Sequence, residues 1–178
     1  MKVTETKLKG CYVIEPSVYE DNRGYFFESY NQEKFDQLTG TKTKFIQDNQ
    51  SKSSYGVLRG LHFQKGAHSQ AKLVRVLSGE VLDVAVDIRE GSTTYGEHVA
   101  VRLSAENKKQ LFVPRGFAHG FIVLSKTCEF FYKCDNLYNK EAERGIIYND
   151  PTLNIDWELE SKDFIVSDKD KQLQYFKG

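Results

Sequence analysis

The stretch Val81-Leu-Asp-Val-Ala-Val-Asp-Ile88 decides the fold class. Leu82, Val84, Val86 and Ile88 fall on one face and Asp83 and Asp87 on the other, the period-2 alternation of a β-strand. On either side of it, segments rich in Val, Ile, Leu, Phe and Tyr recur at short intervals, often beside glycine. They cover residues 24–30, 44–48, 57–64 and 72–77 before it, and 97–103, 111–113, 119–124 and 128–134 after it. That rhythm predicts an all-β sandwich or barrel. The one clear helical signal is Asn31-Gln-Glu-Lys-Phe-Asp-Gln-Leu-Thr-Gly40, where Asn31 can cap, Phe35 and Leu38 share a face and Gly40 can terminate; it predicts a short surface helix. Residues 149–157 read as turns. Residues 161–175 are polar apart from Phe164, Ile165 and Val166, which form an apolar anchor, so the tail is expected to wrap the barrel.

The 178 residues fit one domain, 1–178, and no repeat or linker-like segment divides them. Lys and Arg number 25, as do Asp and Glu, so no net field draws the chain to nucleic acid or an acidic membrane. Scattered charges near the N-terminus and the lack of a long apolar run disfavour secretion and membrane spanning. Cys11, Cys128 and Cys134 form no C-x-x-C pair, so reduced thiols in a cytoplasm are expected.

Three clusters could carry chemistry. Arg59-Gly-Leu-His-Phe-Gln64 and the strand beginning at Lys72 could form a hairpin that brings His62 and Lys72 to one cavity, where a neutral imidazole takes a proton and an ammonium stabilises an oxyanion. On these residues alone, a structural histidine and a surface lysine are the more frequent case. After the turn Pro114-Arg-Gly116, His119 lies in step with Phe117, Phe121 and Val123, as a core histidine would. In Cys128-Glu-Phe-Phe-Tyr-Lys-Cys134, Tyr132 faces the same way as Phe130 and both cysteines; its hydroxyl can bond to backbone or point into a pocket as a general acid. Cupin-type barrels commonly hold a metal with H-x-H on one strand. Here Gln64 stands two residues after His62, so a metal centre is poorly supported.

In linear order, the motifs resemble the dTDP-4-dehydrorhamnose 3,5-epimerase family over nearly the whole chain. The matching stretches include D-N-R-G-Y-F-F-E from Asp21, Q-D-N-Q-S from Gln47, G-V-L-R-G-L-H-F-Q from Gly56, K-L-V-R-V from Lys72, and G-E-V-L-D-V-A-V-D-I-R from Gly79. V-P-R-G-F-A-H-G-F from Val113, Y-K from Tyr132, E-R-G-I from Glu143 and S-D-K-D from Ser167 continue the series. Each is weak alone, but together and in order they are specific.

The resemblance implies a cupin jelly roll of two antiparallel sheets with short peripheral helices, in a homodimer that exchanges N-terminal strand material. It implies a nucleotide-linked 4-keto-6-deoxyhexose as substrate, inversion at carbons 3 and 5, and no cofactor or metal. His62 would be the base, Asp170 its supporting carboxylate in preference to Asp168, Tyr132 the acid on the opposite face, and Lys72 the enolate stabiliser. Arg23, Arg59, His119 and Lys169 match positions around the diphosphate and sugar, and Glu28, Gln47, Asn49 and Glu143 match polar binding positions. Tyr138 resembles an aromatic that stacks on thymine, and Arg23 and Glu28 would come from the partner subunit. The nearest alternative is an epimerase of carbon 3 alone, or of another nucleotide-linked 4-keto sugar. From other classes come a non-catalytic nucleotide-sugar-binding cupin and, last, a metal-dependent cupin.

Overall fold

The computed structural model describes residues 1–177. From the N-terminus run β1 (Lys2–Glu5), β2 (Tyr12–Glu15), β3 (Tyr19–Asp21), β4 (Gly24–Phe26) and helix α1 (Gln32–Thr39). The barrel strands follow as β5 (Gln47–Ser54), β6 (Val57–Gln64), β7 (Lys72–Ser78), β8 (Glu80–Asp87), β9 (His98–Ser104), β10 (Gln110–Val113), β11 (Phe117–Val123) and β12 (Thr127–Cys134). The last elements are β13 (Glu143–Gly145), β14 (Ile165–Val166) and helix α2 (Asp168–Lys171).

Two sheets face each other, ordered β1-β2-β10-β7-β12-β5 and β13-β6-β11-β8-β9. The chain alternates between them from β9 to β12, which is the cupin-type jelly roll. Among the strands of the described residues, β14, lying parallel to β6, alone departs from antiparallel pairing. Between the sheets lies an interior packed by Val74, Leu111 and Phe130 from the first and Val81, Ala85 and Phe121 from the second. Phe35 of α1 docks on the outer face of the first sheet against Leu73 and Phe112. The outer face of the second sheet, with Leu82, Val84 and Val86, is covered by Leu153, Trp157 and Val166 of the tail. Among the described residues no helix is long and apolar enough to cross a membrane.

Helix α1 forms where its signals stand: Asn31 accepts from the Lys34 amide at 3.1 Å, and Gly40 adopts φ 68° as its left-handed C-cap. Other expectations need correction. The strand expected at 44–48 begins at Gln47 and runs to Ser54, through a polar stretch that pairs along all of β12. The alternation leaves open which face of β8 looks inward; both are buried, because the tail covers its apolar side while Asp83 and Asp87 point inward. Ile165 is no anchor: it stays 55% exposed, whereas Val166 is buried. β6 and β7 form no hairpin but belong to different sheets, so the segment between them crosses the barrel mouth.

Candidate active site

That crossing places the candidate residues on facing walls. His62 on β6 and His119 on β11 are cross-strand partners on the second sheet. Lys72 on β7 lies opposite Cys134, two residues from Tyr132 on β12, so Lys72 and Tyr132 share a face of the first sheet. The interior opens as two adjoining cavities of about 370 and 540 Å³, and His62, Lys72, His119 and Tyr132 line both. Gln47, Asn49, Tyr138 and Glu143 line the first cavity, and Arg59, Lys169 and Asp170 line the second.

β6 and β11 approach closely because Gly60 and Gly120 stand back to back. A Cβ at Gly60, where φ is 121°, would lie 2.6 Å from the Gly120 Cα, and the register shifts between His119 and Phe121. Here α2 delivers a carboxylate. His62 Nε2 lies 2.8 Å from Asp170 Oδ1, and Asp170 Oδ2 accepts the Gly60 amide at 3.2 Å. With Nε2–H donating to the carboxylate, assigned from this bond, the His62 lone pair sits on Nδ1. Burial alone would raise the Asp170 carboxyl; the bond and charge of His62 and the Gly60 amide hold it below its ordinary value. Asp168, two residues earlier, is turned to solvent with its side chain 94% exposed.

Across the cavity, burial pushes the Tyr132 phenol up, so it holds its proton at neutral pH. The Lys72 ammonium lies 5.8 Å from the Tyr132 ring centroid, and burial pushes it down against the pull of Asp83 and Glu143. Nearby, Gln47 donates to Asn49 at 2.9 Å, and Arg59 Nε donates to Ser53 at 3.2 Å. At the mouth, Glu143 Oε2 accepts from the Tyr138 hydroxyl at 2.8 Å and from Lys169 Nζ at 2.6 Å. Burial alone would raise Glu143, but these two bonds hold it below the usual carboxylate range.

Arg23 and Glu28 are not brought to either cavity within the chain. Arg23 is bound to Asp21 and 85% exposed, and Glu28 pairs with Lys34 at 2.8 Å. Sequence reasoning missed Asp83, whose two carboxylate oxygens lie 3.0 Å from His119 Nε2. No local signal singles it out: Asp83 shares its face of β8 with Asp87, and the imidazole that it meets lies 36 residues later. Among the described residues no group of three or more His, Cys, Asp or Glu side chains is placed to hold a metal ion.

A jelly roll with a carboxylate-backed imidazole on one wall, a protonated phenol on the other and an ammonium beside the phenol has the groups to move protons on two faces of a bound molecule, as a cupin-fold isomerase requires. Comparison with known proteins narrows the class. A family model described as dTDP-4-dehydrorhamnose 3,5-epimerase matches residues 5–178. The chain is 52% identical to the Shigella flexneri dTDP-4-dehydrorhamnose 3,5-epimerase over 99% of this chain and 96% of that one. A crystal structure of the Elizabethkingia anophelis enzyme of that name is 60% identical, covering 99% of this chain and 96% of that one, with a TM-score of 0.96. A Legionella pneumophila dTDP-6-deoxy-D-glucose-3,5-epimerase, solved with dTDP-4-keto-L-rhamnose, is 48% identical at a TM-score of 0.94, covering 98% and 92%. The chain belongs to the dTDP-4-dehydrorhamnose 3,5-epimerase family.

Proposed function

We propose that the chain inverts carbons 3 and 5 of dTDP-4-keto-6-deoxyglucose, giving dTDP-4-keto-rhamnose for dTDP-rhamnose synthesis. The observation that carries the roles is the placement of His62 and Tyr132 on opposite walls of one cavity, with Lys72 between cavities and next to the phenol. A hydrogen beside a ketone is acidic because its electron pair can move onto the carbonyl oxygen. His62 Nδ1 takes that proton, Asp170 stabilises the imidazolium, and Lys72 stabilises the enolate oxygen. The Tyr132 phenol then delivers a proton to the other face of the carbon, which inverts it. The step changes no oxidation state.

Tyr138 stacks on the base, Arg59, His119 and Lys169 serve the diphosphate and sugar, and Gln47, Asn49 and Glu143 are polar binding positions. Arg23 and Glu28 reach the site from the second subunit of a homodimer that exchanges N-terminal strand material. Residues 1–178 act as one domain, and the three free, buried cysteines fit a cytoplasmic setting.

Proton NMR with dTDP-4-keto-6-deoxyglucose in heavy water tests the reading. Deuterium is expected at both carbons, because acid and base are different groups, and His62→Ala is expected to abolish its entry. Exchange at carbon 3 alone would make the chain a single-centre epimerase, and binding without exchange would end the catalytic assignment for this sugar.

A further inference from the structure

Gln64 occupies the position two residues after His62, and its side chain is 8% exposed. Nε2 donates to the His68 carbonyl at 2.9 Å and the Leu137 carbonyl at 3.4 Å, and Oε1 accepts the Asn139 amide at 2.6 Å. Both amide hydrogens are thereby used, so this carboxamide has no donor left to offer a substrate although it borders the cavity. Its bonds instead join two loops that meet at the mouth, 65–71 and 135–142. Asn136 strengthens the join by donating to the Ala67 carbonyl at 2.8 Å and accepting the Leu137 amide at 2.9 Å. Asn139 in turn caps the turn that leads to Glu143 by accepting the Ala142 amide at 3.1 Å. Tyr138 stands between the two residues that Gln64 holds, itself 54% exposed, and its side chain bonds to Glu143.

We propose that Gln64 is a positioning residue for nucleotide recognition: it fixes the backbone on both sides of Tyr138, so that the ring stands ready at the cavity mouth. Because that role sets Tyr138 on the base and not on the sugar, the contribution of Gln64 falls on binding of the nucleotide and not on proton transfer. The inference rests on the reading of Tyr138 as the base-stacking residue.

The test is Gln64→Glu, which keeps the shape and the acceptor for Asn139 but sets a carboxylate against two carbonyls, together with Asn136→Ala, which loosens the same loops from a half-exposed position. Both variants are expected to weaken dTDP binding and raise KM, Gln64→Glu by on the order of tenfold, with kcat within about threefold of the parent. Hydrogen exchange is expected to speed up in residues 65–71 and 135–142 while β7, β8 and β11 stay protected. In a double-mutant cycle, Gln64→Glu should cost little once Tyr138 is Ala. Full additivity in that cycle, unchanged exchange in the two loops, or a fall in kcat at constant KM would overturn the proposal. If exchange rises locally but the parent protein binds no dTDP, the loop role stands and the nucleotide reading of the site falls instead.

Discussion

Asp168 and Asp170 are two residues apart on α2 and have opposite surroundings. A helix turns by roughly 200° over two residues, so when Asp170 faces the barrel Asp168 must face solvent. The S-D-K-D stretch presents both carboxylates, the resemblance favours Asp170, and the packing of α2 against β6 is what turns Asp170 inward and leaves Asp168 outside. In the proposed mechanism Asp170→Asn removes the charge that stabilises the His62 imidazolium, so kcat is expected to fall by about 10²- to 10⁴-fold, the usual span of acid–base catalysis. Asp168→Asn should leave kcat unchanged; equal losses in the two variants would show that the His62–Asp170 bond does not carry the effect. Lys72 raises a different question, because an ammonium beside an enolate acts mainly as charge develops. Lys72→Ala is expected to lower kcat by on the order of 10²- to 10³-fold while dTDP affinity stays within about threefold, measured by steady-state kinetics and calorimetry. Weakened binding with normal turnover would make Lys72 a binding residue. Asp83, in contrast, could not be read as functional from the sequence, since its partner His119 lies 36 residues away on the next strand of the sheet.

Among the elements, β8 was legible by its alternation and β5 was not. In Gln47-Asp-Asn-Gln-Ser-Lys-Ser-Ser54 there is no apolar residue, and what makes it a strand is its register along β12. Alternation also left open which face of β8 looks inward, because the tail that buries the apolar side comes much later in the chain, from Leu153 onward. One consequence is the burial of Asp87 at the end of β8. Its carboxylate accepts from Arg89 Nη2 at 2.7 Å and from the Ser92 and Thr94 hydroxyls at 2.6 Å each, pinning the loop that leads to β9. Burial alone would raise this carboxyl, but those bonds hold it well below the usual carboxylate range. A folded-state value below the unfolded one, about 3.9, adds stability that is complete above the unfolded value and is lost as pH falls toward the folded one. Asp87→Asn is accordingly expected to cost about 3 kcal/mol near pH 6, and the gap from the parent should narrow below about pH 4. Urea unfolding at both pH values measures it; a gap independent of pH would trace the loss to packing.

For the whole molecule, periodicity predicts β structure, and the jelly roll followed from the ordered motifs. The proposed homodimer rests on Arg23 and Glu28, which the single chain leaves outside its two cavities. β3 and β4 pair with each other and with neither main sheet, and Tyr19, Tyr25 and Phe26 on them are 67%, 59% and 70% exposed. A second copy packed on this hairpin would cover those rings and set Arg23, now free except for Asp21, against the partner's diphosphate site. Arg23→Ala and His62→Ala should each be nearly inactive as pure proteins. Mixed by unfolding and refolding in equal amounts, they should form hybrids in about half of the dimers. If Arg23 serves the other subunit, each hybrid holds one site with both residues intact and one with neither, so activity should recover to about a quarter of the parent's. Were Arg23 to serve its own subunit, every site in the hybrid would lack one of the two residues and the mixture would stay inactive. The recovered fraction thus reports directly which chain supplies the arginine.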